Sequence, residues 1–175
     1  MANRFRTAVH VSALLIPFMV EATSKSTIVA ALIATTFAYT ISEALRLRGR
    51  NLPLITRFTL AMSRQDERPR LVTAPIYLAV GVVFSLLAFP KSIAYASITM
   101  VAVGDPVASY VGRRFGRILV KQKMLEGFAA GLIVSFAVAL FWVPPYFALA
   151  GSLVGMLLEV LGILDDNMTI QIGAG

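Results

Sequence analysis

The chain has 175 residues, 58% of them hydrophobic and 14% charged, with a mean hydropathy of +0.79. A soluble domain covers its surface with roughly 25% charged residues, so an ordinary water-soluble globule is excluded. The absence of cysteine and the single histidine, His10, exclude disulfides, thiolate chemistry and a multi-histidine metal site within one chain.

Six apolar segments follow one another, each compared with the ~20 residues needed to cross ~30 Å of hydrocarbon. The first, Thr7 to Ala22, is short and carries His10, Pro17 and Glu21; no small-residue cleavage site follows a clean apolar core, so it does not read as a signal peptide. The second is Thr27 to Leu45, with Glu43 near its end, and the third is Leu71 to Pro90, with Pro75 in its first turns, where proline is tolerated. The fourth, Ser92 to Val111, contains Gly104-Asp105-Pro106. Gly127 to Val143 is the fifth and Pro145 to Leu164 the sixth, turned by Pro144 and Pro145. The expectation is an all-α, polytopic integral membrane protein: about six transmembrane helices in one domain over residues 1–175.

Charge placement orients these segments. Arg4 and Arg6 precede the first, and seven arginines (46, 48, 50, 57, 64, 68 and 70) lie between the second and third. Arg113, Arg114, Arg117, Lys121 and Lys123 separate the fourth from the fifth, while Lys25 and Lys91 stand on the other side. Fourteen of the sixteen cations therefore share one face, which the positive-inside rule makes cytoplasmic, with both termini on that side. The net charge of +7 and isoelectric point near 10.3 are thus explained by a membrane and not by a nucleic acid. The arginine-rich loop includes NLPLITRFTLAMSR, which suits an interfacial helix, and its arginines suit topology and anionic-lipid contact.

The acids fall at one depth. Glu43, Asp105 and Glu159 lie within about 11 Å of the cytoplasmic face at 1.5 Å per residue. Glu126 opens the fifth segment, and Asp165 and Asp166 follow the sixth.

Three stretches carry the chemistry. Pro106 lacks an amide hydrogen and opposes the carbonyl four residues back, so the fourth helix is expected to break or kink at Gly104-Asp105-Pro106. Asp105 would cap a new half-helix that begins at Pro106, and such half-helix ends build ligand sites in membranes. A carboxylate in an apolar run is costly and points to function, although a capped kink paired with an arginine accounts for it as well. Gly112-Arg113-Arg114-Phe115-Gly116-Arg117 is neither a Walker A sequence nor GxGxxG, yet its amides and guanidinium groups suit a phosphate. Asp165, Asp166 and Asn167 offer oxygen ligands of the kind Mg²⁺ shares with substrate phosphates. They follow a helix C-terminus, where the dipole disfavours anions, so a metal or the arginines should compensate. His10 reads as a buried, hydrogen-bonded residue rather than a catalyst, and nothing supports a covalent nucleophile.

Three ordered motifs resemble a known family: VGDPVASYVGRRFGR at Val103 to Arg117, K-x-x-E-G at Lys123 to Gly127, and Glu159 followed by DDNMTI. They are similar to the polytopic CTP-dependent lipid-alcohol kinases, which include dolichol kinase, phytol kinase and the yeast-type diacylglycerol kinase, with the CDP-diacylglycerol synthases more remote. Arg6 to His10 also looks like that family's N-terminal Arg-Lys-x-x-His, with Thr7 where lysine is common. Met124 and Phe128 stand where hydroxyl residues are common, and Gln171 replaces a usual proline.

The resemblance implies phosphorylation of a membrane isoprenoid alcohol or diacylglycerol, with CTP as donor and Mg²⁺ required. It implies catalytic roles for Asp105, Glu126 and Glu159, with no choice among them as base. Nucleotide binding would fall to Gly112, Arg113, Arg114, Gly116, Lys121, Lys123 and Asn167, and metal binding to Asp105, Asp165 and Asp166. The alternatives are a cytidylyltransferase making a CDP-lipid, which releases pyrophosphate, and a non-enzymatic membrane carrier. Carboxylates gathered at one edge instead of along a path count against the carrier.

Overall fold

The computed structural model describes residues 2–50, 72–120 and 123–161, with side chains over 7–50, 72–120 and 123–158. These residues form helices α1 Ala2–Ser12, α2 Leu15–Ala22, α3 Lys25–Leu47, α4 Ala74–Ala88 and α5 Lys91–Phe115. Strands β1 Leu119–Val120 and β2 Lys123–Met124 come next, and helices α6 Leu125–Ala139 and α7 Pro145–Leu161 complete the order. The all-α expectation holds except for that small antiparallel hairpin, which pairs Leu119 with Met124 and Val120 with Lys123.

Two prolines behave in opposite ways. The segment read as one span from Thr7 to Ala22 is two helices, because the Pro17 ring opposes the carbonyl of Ala13. The chain turns there through i→i−3 bonds: Ala13 N–H to His10 O and Leu14 N–H to Val11 O, each 3.0 Å, and Ile16 N–H to Ala13 O, 3.1 Å. Pro106, by contrast, lies inside α5, which runs through Gly104-Asp105-Pro106 for 25 residues without a break. The expected broken fourth helix is therefore corrected, and Asp105 is a mid-helix residue rather than a cap. Pro106 removes one N–H donor, but the residues before it, Val101, Ala102, Gly104 and Asp105, are buried by their neighbours and hold the helical course.

The packing of α5 on α6 supplies most of that restraint. Gly104, Ala108 and Gly112 on α5 face Gly127, Gly131 and Ser135 on α6, each set at i, i+4, i+8. A Cβ at Gly127 would lie 2.5 Å from the Ala108 carbonyl oxygen, and one at Gly131 would lie 2.9 Å from the Ala108 Cβ. Small residues that let backbones touch are what helices in lipid use in place of a hydrophobic driving force. Ser135 Oγ donates to Met100 O across 3.4 Å, and Met156 of α7 closes the seam from the far side.

Helix α5 is the hub of the molecule. With α6 and α7 it buries Met100, Val101, Ala108, Ala139, Ala148 and Met156. With α2, α3 and α4 it buries Ile28, Val29, Val82, Leu86, Tyr95 and Ile98. At its N-terminal end Lys91 pairs with Glu21 at 2.6 Å, and the Tyr95 hydroxyl donates to the same carboxylate at 3.0 Å. Tyr95 meets the Trp142 ring edge-on at 5.1 Å.

The outer surface is apolar as well. Ile33, Phe37 and Ile41 on α3, Phe84 and Leu87 on α4, Ile133 on α6 and Leu153 and Leu157 on α7 are all exposed. Among the described residues one helix, α3, is both long and apolar enough to cross a membrane, with a mean hydropathy of 1.6 over its best window. Helices α4, α6 and residues Pro145–Leu158 of α7 are apolar but shorter.

Candidate functional site

Asp105 projects from the middle of α5 and is 6% exposed; His10, in the last turn of α1, is 3% exposed. His10 Nδ1 lies 3.7 Å from Asp105 Oδ2, and Ser109, one turn on along α5, donates its hydroxyl to Oδ1 across 3.5 Å. The burial expected of His10 is found, and its neighbour is Asp105. The residue pairing spans 95 positions in sequence, and its one signal was the likeness of Arg6 to His10 to an N-terminal family motif.

Nine residues further along α5, about 13 Å by helical rise, a cavity of about 470 Å³ opens at the helix end. Arg114, Phe115, Gly116, Arg117 and Glu126 line it. Helix α5 stops there: Gly116 leaves the helix in an extended conformation while its N–H still reaches Gly112 O at 3.1 Å. Of the expected phosphate loop, Arg114, Gly116 and Arg117 border the cavity. Gly112 instead packs under Met124, and Arg113 is exposed beside the cavity, outside its lining.

Glu126, for which a catalytic role was expected, also lines this cavity. Its carboxylate accepts the backbone N–H of Arg117 at 3.0 Å and of Ile118 at 3.4 Å, tying the loop after α5 to the start of α6. Its own backbone amide first, then those of Arg117 and Ile118, hold the carboxyl below its usual value of 4.5. This geometry makes Glu126 an anchor for that loop. Lys123 is half-buried on β2.

The remaining acids diverge. Glu43 is buried and takes both Arg46 Nε (2.9 Å) and Arg46 Nη2 (2.8 Å), as well as the Val72 N–H at 3.2 Å. It is thus a structural acid that joins α3 to the chain entering α4. Among the described residues no three His, Asp or Glu side chains come together as a metal site. Of the expected metal ligands, Asp105 is the one among the described residues, and Mg²⁺ binds through one or two carboxylates together with substrate phosphates and waters. Lys121, Asp165, Asp166 and Asn167, and the side chain of Glu159, lie outside the described residues.

The chain is similar to the farnesol kinase, chloroplastic, of Arabidopsis thaliana, with 30% identity over 139 residues. That match takes in 64% of this chain and 44% of the relative, so the chain spans less than half the length of the curated protein it matches. No protein-family model matches the chain. No solved structure matches it.

Proposed function

We propose that this chain is a multi-pass membrane kinase that transfers a phosphoryl group from a nucleotide to the hydroxyl of a lipid alcohol at the cytoplasmic face. The observation that carries the proposal is the alignment of two features on one helix. A buried Asp105–His10 pair sits in the middle of α5, and a cavity with two arginines opens at its end. The likeness to a farnesol kinase favours an isoprenoid alcohol as acceptor. CTP as donor and Mg²⁺ as its counter-ion rest on the motif resemblance. The apolar exteriors of α3, α4, α6 and α7 support the bilayer, and the fourteen cations on one face support the orientation.

In this reading the alcohol lies along the helices with its hydroxyl toward Asp105. The His10–Asp105 pair takes the hydroxyl proton as the alcohol oxygen bonds to the terminal phosphorus. The bond from that phosphorus to its bridging oxygen breaks, and the nucleoside diphosphate leaves. Arg114 and Arg117 neutralise charge on the phosphate chain, and Glu126 holds the loop that presents them. Transition states of this kind are loose, so positioning and charge neutralisation outweigh the strength of the base.

The test incubates membranes containing the chain with γ-labelled CTP or ATP and a panel of alcohols: farnesol, geranylgeraniol, phytol, dolichol and diacylglycerol. Label is expected in a lipid monophosphate, with nucleoside diphosphate as the second product. Pyrophosphate release would instead identify a CDP-lipid synthase, and no turnover of any nucleotide would leave a carrier.

A further inference from the structure

The end of α5 and the segment after it combine exposed apolar side chains with exposed arginines. Phe115, Ile118, Leu119 and Val120, four large apolar side chains within six residues, all face outward, Leu119 with 62% exposure. Strand β2 is the inner strand of the hairpin, with Met124 packed on Gly112 and Gly116, while both residues of β1 are exposed. A two-stranded hairpin is marginal in water and needs a second surface against it.

The charges around it are of one sign. Arg113, Arg114 and Arg117 are exposed, and none forms an ion pair with a described residue. The nearby acid, Glu126, spends its carboxylate on the Arg117 and Ile118 amides. The patch therefore sets apolar side chains beside guanidinium groups that have no ion-pair partner among the described residues.

We propose that Ile118, Leu119 and Val120 are an interfacial anchor, laid into the headgroup layer of an anionic leaflet with Arg113 on lipid phosphates. With α5 taken across the bilayer inside the apolar exteriors of α3, α4, α6 and α7, its length would put the anchor at that depth. Its 25 residues span about 37 Å against ~30 Å of hydrocarbon. With the Lys91–Glu21 pair at one headgroup layer, Arg113 to Phe115 falls at the other. A second copy of the chain is the poorer occupant, because a two-fold contact would set the three arginines against their own images. Arginine close to an anionic surface is favourable and screened within a Debye length. The anchor would hold the mouth of the cavity at the level where a lipid hydroxyl emerges.

The inference rests on α5 crossing a bilayer and is independent of the chemistry performed. The natural absence of cysteine allows a direct test on the full chain. Leu119→Cys, with Val120→Cys as a second variant, carries a spin label in vesicles of phosphatidylcholine with and without phosphatidylglycerol. Phe37→Cys on α3, at a site 68% exposed, reports on the bilayer itself. Membrane-permeant oxygen is expected to relax the hairpin labels several-fold more than a water-soluble nickel chelate. The difference should widen with phosphatidylglycerol and shrink in high salt. Nickel prevailing at both hairpin positions, while oxygen prevails at position 37, would overturn the anchor alone. Nickel prevailing at position 37 as well would overturn the membrane reading beneath it. Labels shielded from both reagents, or broadened by a neighbouring label, would show a protein occupant and overturn the lipid one.

Discussion

Replacement of Gly127 by alanine tests whether α5 and α6 meet as closely as described. The new Cβ would stand 2.5 Å from the Ala108 carbonyl oxygen, 3.0 Å from Gly112 Cα and 3.2 Å from Gly112 N. Ordinary contacts begin near ~3.5 Å, so the helices must part by about 1 Å. Every opposing atom belongs to the backbone, and no rotamer change can absorb the clash. Overpacking of this kind costs roughly 1–3 kcal/mol, and the helix propensity of alanine over glycine returns up to about 1 kcal/mol. The net loss is about 1–2 kcal/mol, or roughly 2–8 °C in Tm for a chain of this size. Thermal melting in detergent, followed by loss of the monodisperse peak on size exclusion, measures it. Turnover should fall further than stability, because the seam also sets the cavity against Asp105. Ala108→Gly should give no rescue, since the obstructing atom is a backbone oxygen. A Gly127→Ala protein that melts and turns over like the parent would refute the backbone contact.

Other outcomes follow from the same geometry. Asp105→Asn and His10→Gln should each lower phosphoryl transfer by about 10²-fold or more while the protein still purifies folded; turnover near the parent level in either would remove that residue from the reaction. Glu43→Ala takes an acceptor from both the Arg46 guanidinium and the Val72 amide, and loss of one partner of a buried pair costs about 3–5 kcal/mol. A change below about 1 kcal/mol on denaturation would mark that pair as solvent-screened. Glu126 is held below its usual carboxyl value of 4.5 by backbone amides, so its contribution to the loop is fully present above that value. It is lost only as pH falls through the lower, folded-state pKa. A label at position 119 should therefore stay ordered down to pH 4.5 and loosen below it, whereas Glu126→Gln should remove that step.

Much of the architecture was legible in the order of residues. Apolar runs of about 15 to 20 residues, cut by Pro90, Pro144 and Pro145, give α3 to α7 their places because backbone groups in such runs have no better partner than one another. The placement of Glu21 and Lys91 at matching ends of two segments is also readable in the sequence, and the Lys91–Glu21 contact agrees with it. Local pairings such as Glu43 with Arg46 follow from i, i+3 spacing.

What sequence could not decide is what depends on neighbours distant in the chain. Proline has the same chemistry at positions 17 and 106, yet one separates α1 from α2 and the other is carried within α5. The difference is the close backbone contact of α6, which exists only once residues 104 and 131 have been brought together. Asp105 looked like a cap because a proline follows it; folding gave it His10 instead. Glu126 belongs to the motif that implied a catalytic role, and its contacts with the amides of the loop after α5 exist only in the fold. Residue type and spacing determined which groups were present and at what depth. Tertiary packing decided which of them met, since a hydrogen bond or a pair of charges is specified by distances of a few ångströms that sequence separation does not encode.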